Sequence, residues 1–242
     1  MRKTSKATER VVKPAKGLNA VIFGASGMVG QSVLRECLLD GGISAVTTVS
    51  RSPMHLTHPK LRNIVHADFL DFSALAKQFK ETDVCFYCLG IASAGLSEEE
   101  YKKITCDYTL AAAKILLKVN PQLKFIFISG AGADSSEQGR IMWARIKGKT
   151  ENALFAMNIK SVYAIRPAFI QPLHGITSRT RLYRILYRVF WPFMPLIKFL
   201  APNSVTTTED LGKVMIHLAR EGAPQRLLES REIVELAKKL KL

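Results

Sequence analysis

Residues 18–30 read LNAVIFGASGMVG, and their order decides the fold. Leu18 to Phe23 is a short apolar run of the kind that forms a buried strand. Gly24, Gly27 and Gly30 follow at every third position. Val29, Val33, Leu34, Cys37 and Leu38 then repeat at helical spacing over 28–39, and Asp40-Gly41-Gly42 stops that helix. A strand, a glycine turn and a helix in direct succession suit a dinucleotide's diphosphate. One glycine allows the tight turn, one lets bare backbone approach the phosphates, and one lets helix and strand pack closely. The helix then offers its free N–H groups and positive dipole end to the anion. Ser26 in the loop, with Met28 and Val29 where the helix opens, joins the three glycines as expected cofactor contacts.

Outward from this stretch, strand-like runs recur at 45–50, 63–67, 83–89, 123–129 and 161–166. Helical runs lie between them at 72–80, 98–119 and 137–157. The strands are almost continuously apolar, as in FIFI and VCFYC, which suits strands covered on both faces. Ser97 with Glu100 forms a capping box for the long helix, and Thr207 or Thr208 caps a helix at 209–220. A last helix is expected over 232–242. Strand alternating with helix predicts an α/β fold: a Rossmann-type doubly wound parallel sheet, with a small C-terminal substrate lobe. The expected organisation is a flexible basic tail over 1–16, a nucleotide-binding domain over 17–170, and a lobe with helices packing on the same domain over 171–242.

The second strand ends in Val49-Ser50-Arg51-Ser52, without an acid. An acidic residue there would bind the ribose 2′-hydroxyl and repel a 2′-phosphate. Arg51 instead offers a planar guanidinium for phosphate and a face for adenine, and Ser52 adds a hydroxyl. NADP(H) is therefore expected over NAD(H).

Taken together, GASGMVG (24–30), HADFLD (66–71), CLGIASAG (88–95), SGAGADSS (129–136), WARIKG (143–148), RPAFIQP (166–172) and TTTEDLG (206–212) resemble the short-chain dehydrogenase/reductase superfamily in its atypical NAD(P)-binding branch. They are similar to epimerase/dehydratase-like oxidoreductases and to the Tat-interacting protein group. The resemblance implies roles position by position. Asp68 would take the adenine amine, with Phe69 beside the ring. Leu89 and Gly90 would wall the adenosine and ribose. Ser129 would be the catalytic serine, and Lys147 would hold the nicotinamide ribose. Arg166 and Pro167 would lie beside the nicotinamide carboxamide.

One position departs from the family pattern. Trp143 stands four residues before Lys147, on the same helix face, where the family carries a tyrosine that moves a proton. An indole N–H donates a hydrogen bond but does not titrate usefully in water. Either another group supplies the proton, with His174, water or Ser129 as candidates, or the chain binds the cofactor without reducing anything. Ser129, Trp143 and Lys147 are thus the expected catalytic set of an oxidoreductase acting on a carbonyl, quinone or lipid-like substrate. The alternative is an NADP(H)-binding regulator or scaffold.

Composition bounds the rest. The chain has 242 residues, a net charge of +15 and 48% hydrophobic residues, enough for a sizeable core. Residues 1–16 and 179–198 each carry a net +5, so the body between is only mildly basic. No nucleic-acid motif accompanies the charge, and a small molecule is the expected partner. The stretch 179–200 reads either as a helix packing on the sheet or as a peripheral contact with an anionic membrane surface. Four cysteines form no disulfide framework, and the opening residues show no signal-peptide pattern, so a reducing, cytoplasmic setting is expected. Cys85 and Cys88 lack a second pair at zinc spacing and read as packed thiols, with no metal expected.

Overall fold

The computed structural model describes residues 17–157, 161–177 and 201–241. The expected tail at 1–16 and the whole basic stretch at 179–200 lie outside the described residues.

The described chain alternates strand and helix as its apolar pattern requires. The elements are β1 (Leu18–Phe23), α1 (Met28–Leu39), β2 (Ile43–Ser50), β3 (Leu61–Val65), α2 (Ala76–Phe79), β4 (Val84–Tyr87), α3 (Glu98–Lys102), α4 (Tyr108–Val119), β5 (Lys124–Ile128), α5 (Met142–Ala156), β6 (Val162–Arg166), β7 (Phe169–Gln171), β8 (Val205–Thr207), α6 (Thr208–Arg220), β9 (Leu227–Glu229) and α7 (Ser230–Lys239). Seven strands form one parallel sheet in the order β3-β2-β1-β4-β5-β6-β9, and β7 pairs with β8 in a separate ribbon. The order reverses between β1 and β4, and a crevice opens at such a point beyond the carboxyl ends of the strands.

Both sheet faces are covered. Along β1, Ala20 and Ile22 face one core, shared with Val33 and Cys37 of α1, Leu211 and Met215 of α6, and Ile233 of α7. Val21 and Phe23 face the other, with Phe79 of α2, Ala112 and Leu116 of α4, and Leu154 of α5. The same alternation runs through β4 and β5, which is why these strands read as unbroken apolar runs. The doubly wound parallel fold is as the sequence predicts.

Several boundaries differ from expectation. The 72–80 run becomes a short 3-10 turn (Ser73–Leu75) followed by α2. The 98–119 run is continuous but passes through a π-helical turn at Lys103–Asp107, and its capping box is as predicted: Ser97 and Glu100 bond reciprocally. Residues 137–141 are not helical, because Asp134 Oδ1 accepts from the Ser136 N–H and Oδ2 from the Gly139 N–H at 2.7 Å, which holds a loop. β9 joins the main sheet beside β6, and α6 packs on α1 so closely that Gly212 has Glu36 where a Cβ would be. Thr207 caps α6, accepting from the Asp210 N–H at 3.0 Å.

Candidate functional site

The glycine loop is set by close approach. Gly24 has φ +75°, and a Cβ there would lie 2.6 Å from the Leu89 backbone. A Cβ on Gly30 would run into the Gly24 carbonyl oxygen. Gly27 is the N-cap of α1 and supplies no side-chain acceptor, so the leading N–H groups of the helix stay available. These amides face a cleft of about 510 Å³. Gly24, Ser26, Gly27, Met28 and Val29 form one wall; Cys88 to Ala92, after β4, continue it; Ile128, Ser129, Lys147, Pro167 and Ile170 close the other end. A side pocket of about 100 Å³ shares Gly24, Ser26, Arg51 and Leu89 with the cleft and adds Ser52 and Phe69. Arg51 is exposed and makes no ion pair among the described residues. A larger apolar groove of about 690 Å³ lies along α1 and the 53–58 loop, but it holds none of the expected catalytic side chains.

The α5 end of the cleft is built from side chains. Ser129 follows β5 directly, is buried, and its hydroxyl has no protein partner. Lys147 projects from α5 and donates from Nζ to the Ile128 carbonyl at 2.9 Å. Its ammonium sits 4.7 Å from the centre of the Phe127 ring. Burial pulls its pKa from the ordinary lysine value down to about 8, against smaller upward pulls from Glu151 and Cys88. Cys88 was expected only to pack; it lines the cleft beside Lys147, and burial pushes its thiol up, so it is neutral at pH 7. Its place just past the carboxyl end of β4 puts Cys88 at the switch point.

Four expected residues stand elsewhere. Trp143 is half-buried and does not line the cleft. Its indole lies over the Gly130–Gly132 turn, 3.6 Å from where a Gly132 Cβ would be, and against the Tyr101, Cys106 and Ile146 cluster. Glycines leave a flat bed there, and a large ring fills it. Asp68 is exposed and lines neither cavity, because its carboxylate accepts from the Leu70 N–H at 2.8 Å. Arg166 also leaves the cleft, although Pro167 lines it. On β6, Arg166 shares a face with Val162 and Ala164, toward α5. There Nε donates to Glu151 Oε1 at 3.0 Å, Nη2 to Glu151 Oε2 and to Ser135 Oγ, and Nη1 to Glu229 Oε1 at 2.8 Å. His174, a candidate acid, turns away to Glu209 Oε2 at 2.7 Å. No group of three or more metal-ligating side chains occurs among the described residues.

A capless helix end, glycines whose Cβ atoms would collide, and an unpaired guanidinium fit a nicotinamide dinucleotide in chemistry and shape. The same conclusion follows from relatives. The model of a family of NAD(P)H-binding domains matches residues 24–160.

The chain belongs to the NAD(P)H-binding family.

Protein HTATIP2 of Rattus norvegicus is 27% identical over 221 residues, covering 90% of this chain and 88% of that protein. Protein FMP52, mitochondrial, of Debaryomyces hansenii is 25% identical, covering 86% and 90%. An oxidoreductase of the short-chain dehydrogenase/reductase family from Burkholderia thailandensis shares the fold, with a TM-score of 0.65 at 14% identity over 93% of this chain and 97% of that one. The resemblance to atypical short-chain dehydrogenase/reductases and to the Tat-interacting group therefore holds. Among the described residues, no helix is long and apolar enough to cross a membrane.

Proposed function

We propose that the protein is an NADP(H)-dependent oxidoreductase that reduces the carbonyl of an apolar aldehyde, ketone or quinone. One observation carries this: the unpartnered Ser129 hydroxyl and the Lys147 ammonium line the same cleft as the open amino end of α1. When bound, the cofactor supplies the hydride. The chain's residues do the rest. The Gly24–Gly30 backbone, with Ser26, Met28 and Val29, takes the diphosphate. Arg51 and Ser52 take the 2′-phosphate, while Phe69, Leu89 and Gly90 wall the adenosine and its ribose. Lys147 donates to the nicotinamide ribose, Pro167 lies beside the nicotinamide, and Ser129 donates to the substrate oxygen. The apolar Ile91, Ala92 and Ile170 favour a substrate with little charge. The four thiols are free, which suits a reducing compartment.

A second reading, a cofactor-binding regulator, draws on a specific observation. Among the described residues, the cleft lining holds no tyrosine, histidine or carboxylate. Calorimetry and NADPH oxidation against a carbonyl panel distinguish the two. Heat with NADPH and turnover above background identify the enzyme; heat without turnover identifies the regulator. Arg51→Gln is expected to weaken NADPH about tenfold more than NADH, since one charge-assisted phosphate contact is worth roughly that factor. Equal loss for both cofactors would remove NADP(H) preference from the function.

A further inference from the structure

We propose that Lys147 is itself the proton donor to the substrate oxygen, the task a tyrosine at 143 would perform, and that Arg166 makes this possible by occupying both carboxylate oxygens of Glu151. The proposal rests on the oxidoreductase function above. Arg51, Cys88 and Lys147 are the titratable side chains of the cleft lining among the described residues. Arg51 stands at the adenosine end, where no reacting carbonyl would lie, and Arg does not release its proton. Cys88 holds its proton because its thiolate would be desolvated. Lys147 remains, lining the same cleft as Ser129.

The Nζ group has three N–H bonds, and one is spent on the Ile128 carbonyl. That carbonyl and the Phe127 ring orient the ammonium without neutralising it. Two donors stay available for a ribose hydroxyl and a substrate oxygen. Desolvation brings the group close to neutrality, where a general acid works best.

A free Lys147 is not what its own helix favours. Glu151 lies one turn on, at the spacing that pairs lysine with glutamate. Such a pair would lock Lys147 in its charged form. Instead Arg166 grips Glu151 with two parallel N–H donors, the strong fork geometry, and anchors its remaining donors on Glu229 and Ser135. The groups facing Lys147 are therefore Glu151 from α5 and Cys88 after β4, with Arg166 of β6 and Glu229 of β9 behind Glu151. Arg166 never touches the reacting atoms; it is a positioning residue.

The chemistry balances. The substrate carbon gains a C–H bond from the hydride of the reduced nicotinamide, and the carbonyl π bond breaks toward oxygen. The oxygen gains a proton from Nζ, directly or through the Ser129 hydroxyl. One N–H bond of Lys147 breaks, leaving a neutral amine, which regains a proton from water before the next turnover.

The first test needs no cofactor. Full-length protein labelled at lysine Cε is titrated by NMR, with the Lys147 signal assigned by its loss in Lys147→Arg. One lysine is expected to titrate near pH 8. Glu151→Gln should lower that midpoint, and Arg166→Gln should raise it by about one pH unit or more as Glu151 turns to Lys147. If Arg166→Gln does not fold, Arg166→Gln/Glu151→Gln removes both charges and should lower the midpoint like Glu151→Gln alone.

The second test follows the pH dependence of kcat for carbonyl reduction with NADPH. The rate should fall as pH rises through the Lys147 midpoint, because the ammonium is the working form. The limb should move with the NMR midpoint in each variant. A Lys147 midpoint among the surface lysines, or a limb that stays fixed while the midpoint moves, overturns the proposal. So does Trp143→Tyr raising kcat by about 100-fold or more, since that is what restoring a missing acid provides. Calorimetry separates the levels: NADPH heat with a fixed limb removes only the proton donor, whereas no heat with NADPH or NADH removes the oxidoreductase function beneath it.

Discussion

At the α1 end of the cleft the backbone makes the site; at the α5 end side chains make it. Gly24 and Gly30 are required because any Cβ meets main-chain atoms, and nothing there depends on a titrating group. Ser129 and Lys147 work the other way. Their backbone is ordinary strand end and helix, and their value lies in an unpartnered hydroxyl and a desolvated ammonium. The first end should fail through shape and take the fold with it. The second should fail through chemistry and leave the fold intact.

The sharpest test of the first half is Gly30→Ala. Its Cβ would collide with the Gly24 carbonyl, and both partners are main chain, so α1 must move off the loop. Overpacking of this kind costs on the order of 1–3 kcal/mol, and the displaced amides should lose NADPH by about 100-fold or more. Urea denaturation and calorimetry read the two effects. Unchanged binding would mean that the diphosphate does not rest on this backbone.

Lys147→Met probes the other half. Carbonyl reduction should fall by about 100-fold or more, the usual worth of a general acid. Stability at pH 7 should rise or hold, by about 1 kcal/mol, because a buried ammonium without a carboxylate partner is replaced by an apolar chain of similar length. The sign of the pH dependence is a further check. Folding lowers the Lys147 pKa to about 8, so the folded state binds fewer protons than the unfolded one above that value. The cost is fully present below pH 8 and is relieved as pH rises toward the unfolded value. Wild type should therefore gain stability over that window, and Lys147→Met should gain less. A variant that unfolds would place the α5 end under the same rule as the glycine loop.

The contrast also explains what the sequence makes legible. Backbone requirements leave marks that survive in one dimension. The three glycines, the apolar strands on a two-residue alternation and the reciprocal Ser97–Glu100 cap each repeat at a spacing set by geometry. Strand–helix alternation makes the parallel sheet legible, and the fixed hand of the crossovers limits the orders it can take. The strands β7, β8 and β9 have three residues each, too few to show a period, so the C-terminal return to the sheet was not visible. At the α5 end, spacing puts Trp143 and Lys147 on one helix face but does not say which side chain reaches the cleft. That depends on Gly130 and Gly132, which give the indole a bed of its own. The alternation of β6 turns Arg166 to the α5 side, where Glu151 lies one turn after Lys147.

The smallest expected effect concerns His174, the residue that would break the comparison if it were the acid. It has φ +56°, and its ring meets Glu209, which also holds Lys213 at 2.6 Å. Hydrogen bonds from Lys213 and then His174 hold the Glu209 carboxyl down to about 2. A depressed carboxylate gives stability that is present above its unfolded pKa and lost as pH falls toward the folded one. Both partners are partly exposed, with side-chain accessibilities of 37% and 28%, so solvent screens the pair to under about 1 kcal/mol. His174→Asn keeps the left-handed backbone at little cost, since asparagine visits that region readily. The variant should lose a few tenths of a kcal/mol near neutrality, lose slightly less than wild type on acidification below pH 4, and leave the alkaline limb of kcat in place. A loss of about 100-fold in carbonyl reduction, with the Lys147 midpoint unmoved, would transfer the proton to the loop after β7. The α5 end would then bind and orient, as the glycine loop does, and the division between shape and chemistry would run through a different part of the molecule.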